Sequence, residues 1–264
     1  MQNLRKYGNE PFKVALIHGG PGAPGQMAPV AQELSSIKGI LEPLQTATTV
    51  EGQVQELKAV LEKNADLPVT LIGFSWGALL SFIFAARYHS FVKKLILVGC
   101  APYEEKYASK IMDTRMSRLG ENERNEALSL MEAFNDPATQ NKNSLMARFG
   151  KLISKADSYD PMPHDDEILE YQYELSQSVW EQAMKLRSSD KLLSLGRKIT
   201  CSVIAIHGDY DPHPAEGVKE PLSRTLKDFR FILLEKCGHC PWLERSAKDR
   251  FYDILKKELL SNPE

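Results

Sequence analysis

The sequence predicts an α/β chain: a doubly wound, mostly parallel sheet with a block of helices inserted after the strand at 93–99. Three observations carry this. Short, almost purely apolar runs recur at 14–17, 69–72, 95–98, 203–206 and 231–234, a length and composition that suit parallel strands covered on both faces. Segments with helical spacing lie between several of them, and strand–helix alternation calls for right-handed crossovers in one sheet. One long interval, 101–198, breaks the rhythm with raised charge and no strand-like run.

The first strand, at 14–17, leads to a helix built on Met27, Val30, Ala31 and Leu34. Segment 37–46 is a weaker strand, because Pro43 interrupts it and Gly39 weakens it. Val50, Val54, Leu57 and Leu61 mark the next helix, and 69–72 the next strand. The apolar stretch 78–86 suits a buried central helix before the strand around 95–98. Within 101–198, Leu128, Met131 and Phe134, then Leu145, Phe149 and Leu152, repeat at helical spacing. The core is therefore expected at 1–100 and 199–264, interrupted by a helical insertion at 101–198. The D-P-M-P string at 160–163 marks a turn, since a residue before proline is pushed out of the helical region. A helix is expected from about Asp165 to Arg187. Phe251, Ile254, Leu255 and Leu259 define the last helix.

Composition bounds the function. A chain of 264 residues, 42% hydrophobic, is long enough for one α/β domain with an insertion. With 33 basic against 35 acidic residues there is no positive excess to hold a phosphate backbone, which argues against nucleic acid as a partner. No stretch approaches the ~18 consecutive apolar residues of a membrane helix, and the basic N-terminus has no apolar segment behind it. A soluble, cytoplasmic protein with no membrane partner is the expectation. Cys100, Cys201, Cys237 and Cys240 are too few for a disulfide framework and are expected as thiols. Oligomeric state is not legible.

Four motifs follow the apolar runs. After 69–72 stands Gly73-Phe74-Ser75-Trp76-Gly77, a G-x-S-x-G between strand and helix, where a sharp turn brings the two glycines close enough for a Cβ to clash. The following helix points its N-terminal N–H groups at any oxygen that becomes negative beside Ser75. After 14–17 stands His18-Gly19-Gly20-Pro21-Gly22, a loop with backbone N–H groups free to donate; it has no lysine and no G-x-G-x-x-G pattern, which argues against a phosphate loop. After 203–206 comes His207-Gly208-Asp209-Tyr210-Asp211-Pro212, with two candidate acids. After 231–234 comes Cys237-Gly238-His239-Cys240-Pro241-Trp242. Asp211, before a proline, could merely start a turn, and His239 could be a satisfied loop histidine. Their joint placement at the ends of successive runs favours a nucleophile–acid–base set.

The order Ser, Asp, His and the elbow resemble the α/β-hydrolase superfamily of serine hydrolases. The H-G-G-P-G pentapeptide resembles the oxyanion loop of prolyl iminopeptidases. The resemblance implies the α/β-hydrolase fold, Ser75 as nucleophile, Asp211 rather than Asp209 as the triad carboxylate, and His239 as general base. It implies the backbone N–H groups of Gly20 and Trp76 as the oxyanion hole and the 101–198 helices as a lid. The expected activity is cleavage of a small ester, thioester or amide through an acyl-enzyme on Ser75. Small acyl compounds or short peptides are the expected partners.

Candidate substrate contacts are His18 and Gly19 in the loop and Glu170, Glu174 and Trp180 in the insertion. If such carboxylates reach the pocket they would bind a free N-terminal amine, as acidic lid residues of prolyl iminopeptidases do; the plainer reading of Glu170, Glu174 and Glu181 is a solvated helix face. The N-terminal strand pair usual in that branch is expected to be absent or shortened. An acyltransferase and a non-catalytic ligand-binding relative are alternatives. Haloalkane dehalogenases and epoxide hydrolases are disfavoured because their elbow carries aspartate where this chain has Ser75. No cofactor is expected and no metal site, since His89, His164, His207 and His213 lack a ligand spacing such as H-E-x-x-H. The C-G-H-C string matches a dithiol motif, but it stands too near the C-terminus to open a redox domain.

Overall fold

A computed structural model describes residues 3–164 and 168–261. Seven strands, β1 (Leu4–Tyr7), β2 (Phe12–Ile17), β3 (Gly39–Pro43), β4 (Val69–Phe74), β5 (Val92–Val98), β6 (Ser202–Gly208) and β7 (Phe229–Leu234), form one sheet in the order β1-β3-β2-β4-β5-β6-β7. Neighbours run parallel except β1, which lies antiparallel to β3 with Leu4 opposite Pro43 and Tyr7 opposite Ile40. The five apolar runs are the cores of β2, β4, β5, β6 and β7. Of the N-terminal strand pair expected to be shortened, the structure has the four residues of β1.

Side chains alternate between two cores, as the period of a strand requires. Leu71, Leu95 and Leu97 face one cluster, with α2 (Val50–Asn64) and α3 (Trp76–Arg87). Ile72, Phe74, Ile96 and Val98 face the other, with α1 (Ala28–Leu34) and α11 (Lys248–Leu260). The α3 helix is buried from Trp76 to Ala86, which explains why it is apolar all round rather than striped. The interrupted segment around Pro43 does form a strand, β3, buried throughout. Its Gly39 stands where a Cβ would come 2.2 Å from the carbonyl oxygen of Asn9, so glycine marks a close backbone approach rather than a break. β7 differs from its expectation: as the last strand it has one neighbour, and Leu233 is exposed.

Between β5 and β6 lie α4 (Glu105–Ala108), α5 (Ile111–Arg118), α6 (Glu121–Asn135), α7 (Lys142–Asp157), α8 (Tyr173–Ser188) and α9 (Lys191–Ser194); α10 (Glu216–Thr225) follows β6. The helix expected from about Asp165 begins instead at Tyr173; residues 165–167 lie outside the described residues. The physical reason is that residues before it spend their N–H groups on another chain segment. Leu169 N–H donates to Pro24 O and Gln172 N–H to Gly22 O, each at 2.9 Å. The insertion thus runs alongside the loop that follows β2.

The path β2–α1–β3 leads outward, and α2 returns the chain past β2 to β4. That reversal opens a crevice between the carboxyl ends of β2 and β4, where doubly wound sheets bind ligands. Among the described residues no helix is long and apolar enough to cross a membrane. Ile96, fully buried at the middle of β5, should be among the costliest core positions: Ile96→Ala is expected to lower stability by about 2–5 kcal/mol, read as a lower urea midpoint with an unchanged m-value.

Candidate active site

Ser75 joins β4 to α3 with φ 52° and ψ −113°, a left-handed backbone that a non-glycine residue adopts only when its surroundings hold it. The surroundings are specific. A Cβ on Gly73 would sit 2.2 Å from Gly77 O, and one on Gly77 would sit 2.2 Å from Ile17 O and 2.4 Å from His18 O. The elbow therefore closes on itself and packs directly on the loop after β2. Ser75 N–H donates to Val98 O at 2.9 Å, tying the turn to the end of β5. The backbone N–H groups of Gly20 and Trp76, the two expected oxyanion donors, have no acceptor among the described residues.

His18 is fully buried. Its Nε2 accepts from Gln45 N–H at 3.3 Å, so its Nδ1 is the protonated nitrogen and donates to Gly19 O at 2.8 Å. Burial lowers its pKa to about 4, in keeping with a neutral ring. With both nitrogens spent on backbone, His18 braces the loop against the chain just after β3 and keeps no polar atom for a substrate. Gly19 contributes its carbonyl to the same brace.

The ends of β6 and β7 supply the acid and the imidazole. Asp209 and Asp211 separate cleanly: Asp209 Oδ1 accepts from Cys237 N–H at 3.1 Å, whereas Asp211 Oδ2 meets His239 Nδ1 at 2.7 Å. Asp211 is buried. Burial alone would raise its pKa, but the imidazoles of His239, His213 and His207 hold its carboxyl well below the usual range. Burial pulls the His239 pKa down, and the charge and hydrogen bond of Asp211 outweigh that and raise it. The His239 ring is flanked by Phe74, with centroids 4.8 Å apart, and by His213, with centroids 4.6 Å apart. Ser75 and His239 are each buried but for 8% of their surface. Ser75 Oγ makes no hydrogen bond among the described residues; in uncomplexed enzymes such contacts often form only with substrate in place.

The His239 loop is clamped to the insertion. His239 N–H donates to Asp157 O at 2.8 Å, and the Asp157 carboxylate is gripped by Arg115 Nε and Nη2, each at 2.7 Å. The buried Glu244 carboxylate accepts three backbone N–H groups: Gly238 at 3.0 Å, Tyr159 at 2.8 Å and Asp160 at 2.8 Å. Met162 N–H donates to Leu243 O at 2.8 Å. The segment 157–162 thus seats on the histidine loop, as Leu169 and Gln172 seat on the glycine loop.

The remaining candidate contacts do not gather at Ser75. Glu170 and Glu174 are exposed, and Glu181 pairs with Lys185 at 2.7 Å, so these acids lie on a solvated surface. Trp180 is half-buried and packs edge-on to Trp76, centroids 5.8 Å apart, while the Trp76 indole donates to Gln53 Oε1 at 2.8 Å. Among the described residues Asp211, His213 and His239 form the group whose ligand atoms, within 4.8 Å of one another, suit a metal ion; both Nδ1 atoms are committed to the carboxylate. All four cysteines are free, and burial pushes the thiols of Cys237 and Cys240 up, opposite to what a dithiol nucleophile needs. Sequence reasoning missed Arg115, Asp157, Glu244 and His213. Only His213 left a signal, an imidazole two residues after the acid, within reach of an Asx-type turn.

A family model described as the alpha/beta hydrolase fold matches residues 41–246. A proline iminopeptidase of Lactobacillus crispatus (strain ST1) is 22% identical over 288 residues, covering 95% of this chain and 91% of that protein. A thermophilic esterase from Thermogutta terrifontis has a TM-score of 0.63 at 18% identity, covering 97% of this chain and 92% of that one. The 2-hydroxy-6-oxo-6-phenylhexa-2,4-dienoate hydrolase of Rhodococcus sp. strain RHA1 has a TM-score of 0.62 at 18% identity, covering 96% of this chain and 92% of that one. At these identities the two structures share the fold, and finer likeness does not follow.

Removing Glu244 tests the clamp. Glu244→Ala leaves three N–H groups without their acceptor and should cost about 2–4 kcal/mol, measured by urea unfolding and by faster amide exchange at Gly238, Tyr159 and Asp160.

Proposed function

Because the chain belongs to the alpha/beta hydrolase family, we propose that it is a serine hydrolase that cleaves a small ester, thioester or amide through an acyl-enzyme on Ser75. The observation that carries this reading is the coincidence of a left-handed Ser75 at the strand–helix elbow after β4 with a buried Asp211–His239 pair, 2.7 Å apart, that follows the carboxyl ends of β6 and β7 in the same parallel sheet. His239, its Nδ1–H held by Asp211, keeps Nε2 unprotonated to take the Ser75 hydroxyl proton as Oγ attacks the carbonyl. The oxyanion forms against the N–H groups of Gly20 and Trp76, each worth about 3–4 kcal/mol of barrier. His239 then protonates the leaving group, and a water activated by the same ring releases the acid. The 101–198 helices act as a lid over this centre. Hydrogen bonds from the end of α7 and from the chain between α7 and α8 to the histidine and glycine loops support that role.

Removal of an N-terminal residue from a short peptide is the second reading. It draws on the proline iminopeptidase relative and on the H-G-G-P-G loop. The exposed positions of Glu170 and Glu174 offer it no buried carboxylate for an amine, so ester or thioester cleavage is preferred.

The test is a screen of p-nitrophenyl esters, acyl thioesters and prolyl amides with native protein and Ser75→Ala. Turnover should fall on the order of 10⁴-fold or more in the variant. Undiminished turnover in Ser75→Ala would remove the assignment. The pH dependence has a definite sign. His239 must be unprotonated to act and its pKa is raised, so kcat/KM should climb with pH to a plateau, with a midpoint above the ordinary imidazole value of ~6.5.

A further inference from the structure

Asp211 holds two imidazoles. Its Oδ2 meets His239 Nδ1, while Oδ1 accepts from both the backbone N–H of His213, at 2.9 Å, and His213 Nδ1, at 2.7 Å. A carboxylate only accepts, so both rings carry their proton on Nδ1. Any non-proline residue at 213 would supply the backbone donor; the imidazole adds a second one that closes Oδ1 completely. The His213 ring has no other polar partner among the described residues, and His207 Nε2–H, donating to His213 O at 2.7 Å, fixes its main chain. The two rings lie 4.6 Å apart, tilted by 32°.

Resting on the serine-hydrolase reading above, we propose that His213 is a positioning residue of the reactive centre: by saturating Asp211 Oδ1 it fixes the carboxylate plane, leaves Oδ2 to His239 and moderates the basicity of His239. The argument is electrostatic. One carboxylate charge stabilises one imidazolium, and two imidazolium rings this close would repel. The proton leaving Ser75 therefore has one destination. Burial lowers the His213 pKa to about 4 against the pull of Asp211, which keeps its ring neutral across the working range. Each donor on Oδ1 draws charge away from Oδ2, so the strength of the Asp211–His239 contact depends on His213. The other ionisable groups around the pair are His207, the Asp157–Arg115 pair, Glu244, and the thiols of Cys100, Cys237 and Cys240. All of them stay in place when position 213 alone is changed.

The experiment is the pH dependence of fluorophosphonate capture by native protein, His213→Ala and His213→Asn. Asn sets an amide N–H where Nδ1–H stands and has nothing in place of Nε2. In His213→Ala the midpoint should move up by about half a unit to one unit, with a plateau lower on the order of tenfold. In His213→Asn the midpoint should return to the native value. An unmoved midpoint in the Ala variant overturns the proposal, and so does an Asn variant that titrates like Ala. Should a variant not fold, ¹⁵N-histidine NMR of native protein asks the same question. His213 should hold a hydrogen-bonded Nδ1–H and stay neutral down to pH of about 5, one unit above its lowered pKa. Titration of His213 in step with His239, or an Nε2–H tautomer, overturns the proposal. Native protein that captures no fluorophosphonate defeats the Ser75 reading instead, and the NMR result still decides His213.

Discussion

The left-handed backbone at Ser75 is the constraint around which the molecule is arranged. A non-glycine residue in such a conformation costs about 1–3 kcal/mol and persists only where its neighbours over-determine it. Here they do: Ser75 N–H is fixed to β5, Gly73 and Gly77 admit backbone where a Cβ would collide, and the all-apolar α3 is buried on every side behind the turn. Because Gly77 packs on Ile17 O and His18 O, the elbow also dictates where the loop after β2 must run. The two N–H groups proposed to receive an oxyanion are thus set by the same contacts that strain the serine.

Charge at the site is economical. A single buried carboxylate, Asp211, lies among His207, His213 and His239, and the three rings hold it ionised against the pull of burial. The nearby Asp157 charge is neutralised by the two-pronged grip of Arg115, so the insertion brings its main chain to His239 without adding a second free negative charge beside the base. Glu244 spends its carboxylate on three N–H groups and acts as a structural staple. Hydrogen bonds from 157–162 to the histidine loop, and from Leu169 and Gln172 to the glycine loop, make the insertion part of the site's architecture.

Much of this was legible in the sequence because it rests on local patterns. Short, almost purely apolar runs of four residues suit covered strands, and G-x-S-x-G between such a run and an apolar helix suits the elbow. Other features leave no local trace. Leu169 and Gln172 bond to Pro24 and Gly22 through main-chain atoms, which side-chain patterns do not reveal, so the helix expected from about Asp165 begins only at Tyr173. Glu244 looks like any surface acid until three distant N–H groups converge on it. His18 reads as a substrate contact from its motif, yet the main chain at Gln45, just after β3, turns it into a brace. β7 reads as fully covered, and only the strand order reveals it as an edge.

The account stands or falls on whether Ser75 is activated. Intact-mass measurement after exposure to a fluorophosphonate, followed by peptide mapping, reads this directly. One adduct per chain, located on Ser75 and lost in Ser75→Ala, is the predicted result. An unmodified, folded native chain, or an adduct on another residue, would contradict the claim that the strained elbow and the Asp211–His239 pair form a working nucleophile.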